Sequence, residues 1–359
     1  MREIKALTSV RGIAAMMVVL QHFSTTAQHH AADDIPSLVP HGYMAVNLFF
    51  VLSGFIMAYT YHRDFDLRGL RAMPSFLLKR AARILPLNTV VVVGIVLAGL
   101  VSQSVTGRNI FYTSSNILYD AVCNLLLVQA FGLGTNLNGP SWSICTEFAA
   151  YLLFPLLLAC AFARRIVSAA VSIAAMGTLI VTAIQHPHFG LDVATIGGEL
   201  ALCFSQFVLG LFTYRAARNP RVAAILRGDW PAILAAGWIA ACLLLRLDLP
   251  AAMAFPAMVA ALACNDGSVG RRLSTPVLYF LGEISFSIYL IHDPLRPLAL
   301  AILRAVHPAL LGMVPALGFA LAGSLLVIPL AFVGYVAVER PGRQIVRGLA
   351  ALFVRPAVS

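Results

Sequence analysis

Charged residues are scarce in this sequence. Asp, Glu, Lys and Arg make up 11% of its 359 residues, whereas hydrophobic residues make up 60%. A soluble domain has roughly 25% charged residues, because it needs polar side chains to cover its apolar core. The composition therefore excludes an ordinary soluble domain and indicates a membrane protein, whose apolar surface is covered by lipid.

Long apolar runs, in contrast, recur along the whole chain. A membrane-spanning helix needs about 20 predominantly apolar residues. We predict spans at residues 6–23, 42–61, 84–101, 141–161, 167–184, 195–213, 231–246, 250–264, 276–303 and 310–338. No soluble domain, repeat or low-complexity tract separates them, so we expect residues 1–359 to form one membrane domain.

Basic residues between the apolar runs predict the orientation of the chain. They fall into clusters at residues 2–5, 63–83, 164–165, 215–227, 271–272 and 340–347. Basic loops stay on the cytoplasmic side. All the clusters lie inside if the short apolar segment 117–131 does not cross the membrane. We therefore predict an all-α, polytopic helical bundle of about ten transmembrane helices, with both termini cytoplasmic and 117–131 re-entrant or interfacial.

Motifs of several other protein classes are missing. The six cysteines form no CxxC pair, so we expect neither a disulfide framework nor a metal site. The predicted outer loops 24–41 and 185–194 contain histidines without HxxxH-type spacing, which favours solvated side chains over metal ligands: His29, His30, His41, His186 and His188. No nucleic-acid-binding motif accompanies the formal net charge of +10, so we interpret that charge as topology.

Ionisable residues inside the predicted spans indicate where chemistry occurs. Burying one costs roughly 2.5–3.5 kcal/mol on insertion scales, so such a residue usually faces the protein interior. The predicted topology places Arg11 in the inner half of the first span and His22 at its outer end, about 16 Å away along the helix. Arg80 and Arg83 lie at the inner mouth of the third span, and Glu147 lies in the outer third of its span.

These depths predict two chemically different layers. An inner layer of arginines suits an anionic ligand that carries phosphate groups. An outer layer with His22, Glu147, His292 and Glu199 suits general base chemistry, because histidine titrates near neutral pH. The alternatives are ordinary positive-inside anchoring for the arginines and an interfacial position for His22. Glu199, His292 and Asp293 equally suit structural contacts between helices.

Most of these residues lie in short segments whose sequences, and whose order along the chain, carry information about the protein's family. These are ALTSVRGIAAMMVVLQHF (6–23), GYMAVNLFFVLSGFIM (42–57), FLLKRAARILP (76–86), SWSICTEFAAYLLFP (141–155), LGEISFSIYLIHDP (281–294) and VERP (338–341). Together they cover nearly the whole chain, and they resemble the membrane acyltransferase 3 family. The chain departs from the family pattern at Asn47, where many members have Asp, and at Phe286, where Tyr is usual.

The resemblance implies an acyltransferase that transfers groups other than aminoacyl groups (EC 2.3.1.-). It implies transfer of an acyl group, commonly acetyl, from cytosolic acyl-coenzyme A to a hydroxyl of a cell-envelope glycan such as a polysaccharide or lipopolysaccharide. It also implies residence in the bacterial cytoplasmic (inner) membrane. Arg11 and His22 match residues on which the family depends, and Arg80 and Arg83 match its proposed coenzyme-binding motif.

Residue chemistry and resemblance together give a mechanistic hypothesis. The coenzyme binds at Arg11, Arg80 and Arg83, and its pantetheine arm carries the thioester outward. His22 acts as general base and is oriented by Glu147 or another outer carboxylate. A covalent acyl-histidine intermediate is an open alternative.

The acceptor side is predicted less sharply. Trp142, Ser143 and His292 are candidate acceptor-side residues, although Trp142 equally suits an interfacial aromatic belt. We expect a glycan acceptor, lipid-linked or free, contact with membrane lipids, no nucleic acid and no metal. The competing class is a transporter of a sugar or an anionic solute, which would not consume acyl-coenzyme A.

Overall fold

The computed structural model describes residues 3–28, 38–185, 191, 195–306 and 315–353, and these residues are almost entirely helical, with no strand. The helices are α1 (Lys5–Gln28), α2 (Met44–Arg68), α3 (Met73–Thr106), α4 (Ile117–Leu125), α5 (Ser141–Leu152), α6 (Phe154–Phe162), α7 (Arg165–Gln185), α8 (Ile196–Ala217), α9 (Pro220–Leu226), α10 (Asp229–Leu244), α11 (Asp248–Cys264), α12 (Ser268–Leu273), α13 (Pro276–Glu283), α14 (Ser285–Val306), α15 (Ala316–Gly334) and α16 (Arg340–Phe353). The predicted all-α class is confirmed.

Local sequence signals set several helix ends. The Asn116 side chain caps α4 by accepting a hydrogen bond of 3.2 Å from the backbone N–H of Tyr119. Gly107 ends α3 with φ +71°, a left-handed conformation that a residue with a Cβ adopts only with strain. Pro220 begins α9, where its missing N–H leaves no hydrogen bond unmade.

The chain reverses direction between α2 and α3, at the 3₁₀ turn Gly69–Ala72. In one straight helix, Tyr61 and Arg80 would lie about 28 Å apart at 1.5 Å per residue. Instead, an Arg80 guanidinium nitrogen donates a hydrogen bond of 3.1 Å to the Tyr61 hydroxyl. The hairpin therefore brings the start of α3 back against the end of α2.

Glycines allow the central helices to approach closely. A Cβ on Gly54 of α2 would lie 2.0 Å from the backbone oxygen of Phe207 in α8. A Cβ on Gly12 of α1 would lie 2.5 Å from the backbone nitrogen of Gly282 in α13. Small residues at such crossings let backbones touch, which is how membrane helices associate without a hydrophobic driving force.

The outer surface and the helix lengths fit a bilayer. Large apolar side chains such as Ile173 and Leu325 are 69% and 72% exposed, which lipid covers and water would penalise. Six helical stretches in the described ranges are long and apolar enough to cross, or up to eight if each of two bent helix pairs forms one span. The helical membrane class is confirmed, whereas the predicted number of about ten spans is not.

The short segment 117–131 contains α4 and a 3₁₀ turn, Gln129–Phe131. With nine residues, α4 is about 14 Å long, which is less than half of the hydrocarbon thickness of about 30 Å. Asp120 lies within it and accepts hydrogen bonds from Ser114 and from both the hydroxyl and the backbone N–H of Thr135. This carboxylate therefore fastens the connection between α3 and α5.

Candidate active site

Two of the cavities beside α1 contain the ionisable residues that the sequence singled out. The arginine cavity, of about 110 Å³, is lined by Arg11, Arg80, Arg83, Glu147, Tyr151, Ser285 and others. The histidine cavity, of about 210 Å³, is lined by His22, Tyr43, Asn47, Trp142, Asp293, Arg296 and others. Because α1 is continuous, Arg11 and His22 are held about 16 Å apart along its axis.

Arg11 is fixed by the tight packing of α1 on α13. Its guanidinium donates a hydrogen bond of 3.0 Å to the backbone oxygen of Gly282 and longer bonds of 3.4 Å to the Ser285 hydroxyl. Gly282 is also the residue against which Gly12 packs. The glycine contact therefore sets the distance at which Arg11 reaches its partners.

The other two arginines enter the cavity from α3. Arg80 is held by its hydrogen bond to Tyr61 and by stacking over the Tyr61 ring, with 5.4 Å between the guanidinium carbon and the ring centre. Arg83 interacts electrostatically with Arg11 and Arg80 across the cavity. The structure thus brings together the three arginines that the sequence assigned to the coenzyme, and their mutual repulsion favours an anionic ligand between them.

Glu147 lies in the arginine cavity and not beside His22. Its carboxylate accepts a hydrogen bond of 2.5 Å from the Tyr151 hydroxyl and interacts electrostatically with Arg11. The sequence assigned Glu147 to the outer layer with His22, whereas the structure places it in the cavity lined by the arginines of the inner layer. Glu147 therefore does not orient His22, as the sequence-based hypothesis expected. A different residue is the partner of His22.

That partner is His292 of α14, which is fully buried. The His22 Nδ1 atom lies 2.8 Å from the His292 Nε2 atom. The His292 Nδ1 atom lies 3.2 Å from the backbone oxygen of Ile288, which can only accept a hydrogen bond. His292 Nδ1 therefore carries the proton, His292 Nε2 accepts from His22 Nδ1–H, and the proton-free nitrogen of a neutral His22 is Nε2.

An ion pair sits next to these two rings. Arg296 donates a hydrogen bond of 2.6 Å to the Asp293 carboxylate, which also accepts one of 2.8 Å from the backbone N–H of Gly139. Arg296 Nε donates to the Thr26 hydroxyl at 2.9 Å, so this pair joins α14 to the end of α1. Arg296 was absent from the sequence-based candidates, although its spacing of three residues from Asp293 is the signal of a helical ion pair.

Tyr289 separates the two cavities and lines both of them. Its hydroxyl lies 2.8 Å from the Ser143 hydroxyl, which borders the arginine cavity. Trp142, which precedes Ser143 in α5, lines the histidine cavity. The two candidate acceptor-side residues of α5 therefore face different cavities, with Trp142 on the side of His22 and Ser143 in the partition.

A buried carboxylate lies behind the arginine cavity. Glu339 has no exposed surface, accepts a hydrogen bond of 2.7 Å from the Ser287 hydroxyl and pairs with Arg343. It also interacts electrostatically with Arg11 and Arg83. The VERP segment thus supplies the counter-charge that a cluster of buried guanidinium groups requires.

The described residues include one group that could reach a single cation. The ligand atoms of His22, His292 and Asp293 all lie within 4.8 Å of one another. In the structure these atoms instead bond to each other, to Arg296 and to Gly139. The sequence did not predict this grouping, because its members come from two distant segments.

Other sequence-based candidates fall outside the two cavities. Glu199 is not among the lining residues. His41 is buried, with its Nδ1 atom 3.6 Å from a carboxylate oxygen of Asp248, rather than solvated. The remaining loop histidines lie outside the described residues: His29, His30, His186 and His188.

Comparison with known proteins identifies the family. The acyltransferase 3 family model, described as an acyltransferase domain, matches residues 4–336. The chain belongs to this family. It is therefore an acyltransferase (EC 2.3.1.-), as the resemblance implied. It is also 29% identical over 330 residues to Acyltransferase MdmB of Streptomyces mycarofaciens, covering 81% of this chain and 78% of that protein. No solved structure matches the chain.

Proposed function

We propose that this acyltransferase moves an acetyl or similar acyl group from cytosolic acyl-coenzyme A to a hydroxyl of a glycan on the outer side of the cytoplasmic membrane. The observation that carries the proposal is the arrangement of the two cavities. An arginine-lined cavity and a histidine-lined cavity share one wall residue, Tyr289, and their residues Arg11 and His22 are about 16 Å apart along α1.

The arginine cavity is the donor side in this proposal. Arg11, Arg80 and Arg83 bind the anionic part of the coenzyme through charge-assisted hydrogen bonds. The positive-inside distribution of the basic clusters supports a cytosolic position for this end, where acyl-coenzyme A is made. The long pantetheine arm then spans the distance from the arginines to His22.

The histidine cavity is the acceptor side. His22 Nε2 removes the proton from the acceptor hydroxyl while its oxygen attacks the thioester carbonyl. When the tetrahedral intermediate collapses, the carbon–sulfur bond breaks and the imidazolium of His22 returns the proton to the leaving thiolate. The products are an ester on the acceptor and free coenzyme thiol. His292 holds His22 in the required tautomer throughout, because its Nε2 atom accepts from His22 Nδ1.

The test is thiol release by the protein purified into lipid nanodiscs. We expect wild type to release thiol from acetyl-coenzyme A in the presence of envelope glycans, and His22→Ala to lose at least about 100-fold in rate. His62→Ala is the matched control, since His62 lines neither cavity. We expect no effect of EDTA, because the His22–His292–Asp293 group is proposed to act without a metal.

Three results would overturn the proposal. Full activity of His22→Ala would remove His22 from the chemistry, and loss of wild-type activity in EDTA that zinc restores would assign the group to a metal. A labelled sugar or anion that crosses proteoliposomes containing the protein without thiol release would favour the transporter class.

A further inference from the structure

A buried carboxylate outside all the sequence motifs lies near the histidine cavity. Asp248 is the first residue of α11 and is only 8% exposed. The proposed acyl transfer does not use it. Because burying a carboxylate is costly unless it is hydrogen-bonded, its partners indicate what it stabilises.

Those partners come from two other segments of the chain. Asp248 Oδ2 accepts a hydrogen bond of 2.6 Å from the Tyr43 hydroxyl and one of 3.1 Å from the backbone N–H of Leu191. Its Oδ1 atom lies 3.6 Å from His41 Nδ1. Tyr43 and Leu191 both line the histidine cavity. Asp248 therefore joins Tyr43, Leu191 and the start of α11 into one wall of the cavity.

The hydrogen bonds also fix the orientation of the Tyr43 ring. Its hydroxyl donates its proton to Asp248, so it can only accept from His41, whose Nδ1 atom lies 3.3 Å from the hydroxyl oxygen. A phenol held at its hydroxyl end presents its ring to the cavity in one position. Without the carboxylate, this hydroxyl loses the strongest bond that holds it.

The wall that Tyr43 completes has a recognisable chemical character. Trp142 and Tyr289 are the other aromatic residues of the cavity, and Asn47, Arg296 and His22 supply polar groups. A cavity with aromatic surfaces and a few polar groups suits a ligand with apolar C–H faces and hydroxyl edges. A glycosyl ring has this combination, whereas a lipid chain lacks the hydroxyls and a phosphate lacks the apolar faces.

We propose that Asp248 is a positioning residue for the acceptor, holding Tyr43 so that Tyr43 and Trp142 bind a glycosyl ring beside His22. This inference rests on the proposed function, because it assigns the acceptor side of the same reaction. It predicts that acceptor affinity depends on a residue that does not line the cavity.

The chain offers a direct optical test, since it has three tryptophans and only Trp142 lines the cavity. Trp230 and Trp238 are 73% and 58% exposed and can be replaced with phenylalanine. The resulting protein, in nanodiscs free of glycosidic detergent, would be titrated with hexyl β-D-glucopyranoside, galactopyranoside and mannopyranoside. Hexan-1-ol controls for partitioning of the alkyl chain. We expect a saturable change in Trp142 fluorescence with at least one glycoside and none with hexanol.

Three variants in this background separate positioning from general structure. Asp248→Ala removes the acceptor of the Tyr43 proton, and we expect it to raise the glycoside Kd about tenfold or more. Asp248→Asn keeps one carbonyl oxygen for Tyr43 and Leu191, and we expect its Kd to stay within about threefold of wild type. Tyr43→Phe keeps the ring but not its tether, and we expect a rise similar to that of Asp248→Ala. Asp66→Ala, at an exposed site, is the control.

Several outcomes would overturn the inference. They are the absence of saturable binding of all three glycosides to wild type, equal binding of glucoside and hexanol, or an unchanged Kd in Tyr43→Phe. If Asp248→Ala does not fold, Tyr43→Phe decides. Thiol release that depends on His22 without glycoside binding would refute this inference and leave acyl transfer standing. Glycoside binding without any thiol release would refute the proposed function instead.

Discussion

At the scale of single residues, the contact between His22 and His292 determines which nitrogen is available for chemistry. A histidine can serve as a base only through the nitrogen that carries no proton, and its tautomer is set by what the other nitrogen bonds to. Here the backbone oxygen of Ile288, which can only accept, sets the tautomer of His292, and His292 in turn sets the tautomer of His22. A carboxylate next to His22 would give the same tautomer with a negative charge, whereas His292 gives it without one.

This tautomer argument predicts different outcomes for two substitutions of His292. In His292→Gln the side-chain oxygen can still accept from His22 Nδ1–H, and we expect most of the activity to remain. In His292→Leu that acceptor is lost, and we expect the rate of thiol release to fall about 10–100-fold, as for other residues that orient a functional histidine. Rates would be compared at equal amounts of folded protein. Equal losses in both variants would contradict the argument.

At the scale of elements, the site depends on how closely α1 approaches α13. Gly12 has no room for a side chain, because a Cβ would lie 2.5 Å from the backbone nitrogen of Gly282. The oxygen of Gly282 is also a partner of Arg11. A wider separation of the two helices would therefore disturb packing and the arginine cavity together.

We predict that Gly12→Ala destabilises the protein by about 1–3 kcal/mol, as overpacking of a core does, and weakens acyl-coenzyme A binding. Gly94→Ala is the matched control, since a Cβ at Gly94 of α3 meets no atom within 4 Å. Thermal unfolding and coenzyme affinity in nanodiscs would measure both effects. Equal behaviour of the two variants would show that the α1–α13 contact tolerates a methyl group.

The connection between α3 and α5 depends on one carboxylate. Burial by itself raises the pKa of Asp120, but hydrogen bonds from Ser114 and Thr135 outweigh it, and the net pKa is below its usual value. A carboxylate with a lowered pKa stabilises the folded segment fully above its unfolded pKa of about 3.9. That contribution is lost as pH falls through the lower folded pKa.

We therefore predict that Asp120→Ala loosens residues 109–136 at neutral pH by about 1–3 kcal/mol, because the hydrogen bonds of Ser114 and Thr135 to a charged acceptor are lost. Faster chymotrypsin cleavage at Phe111, Tyr112 or Phe131 would measure this. In wild type, the segment should open only below about pH 4. The exposed Asp66→Ala should behave like wild type. Unchanged cleavage of Asp120→Ala would show that other contacts hold this segment in place.

At the scale of the whole molecule, the two cavities require a defined orientation in the membrane. In the proposed reaction, the arginine cavity opens to the cytosol, where acyl-coenzyme A is made, and the histidine cavity faces the acceptor. Helix α3 is long enough to cross the membrane between Arg83 and Val105. These residues lie about 33 Å apart along it, more than the hydrocarbon thickness of about 30 Å. Leu67, at the end of α2, lies on the side of the arginines.

We predict that a membrane-impermeant maleimide labels Val105→Cys in intact cells and labels Leu67→Cys only after permeabilisation. Both positions are well exposed, at 78% and 71%. Wild type is the background, since its cysteines are buried or half-buried. The reverse pattern would place the arginine cavity outside and contradict the proposed direction of transfer.

Composition and helix geometry determined much of this protein without a structure. The scarcity of charge excluded a soluble fold, because only lipid can cover so much apolar surface. The distance between Arg11 and His22 along the helix axis followed from the eleven residues that separate them, because the rise per residue of a helix is fixed. Ordered motifs then indicated the family, which the comparison with known proteins confirmed.

The tertiary structure alone decided which side chains meet. Helix counting gives depth, but it gives neither the rotation of a helix about its axis nor its neighbours. For this reason Glu147, which the sequence assigned to the layer of His22, lies in the arginine cavity, and His292 contacts His22 instead. The role of Asp248 could not be predicted from the sequence for the same reason. Its partners Tyr43 and Leu191 are remote in sequence and meet it only because three helices pack together.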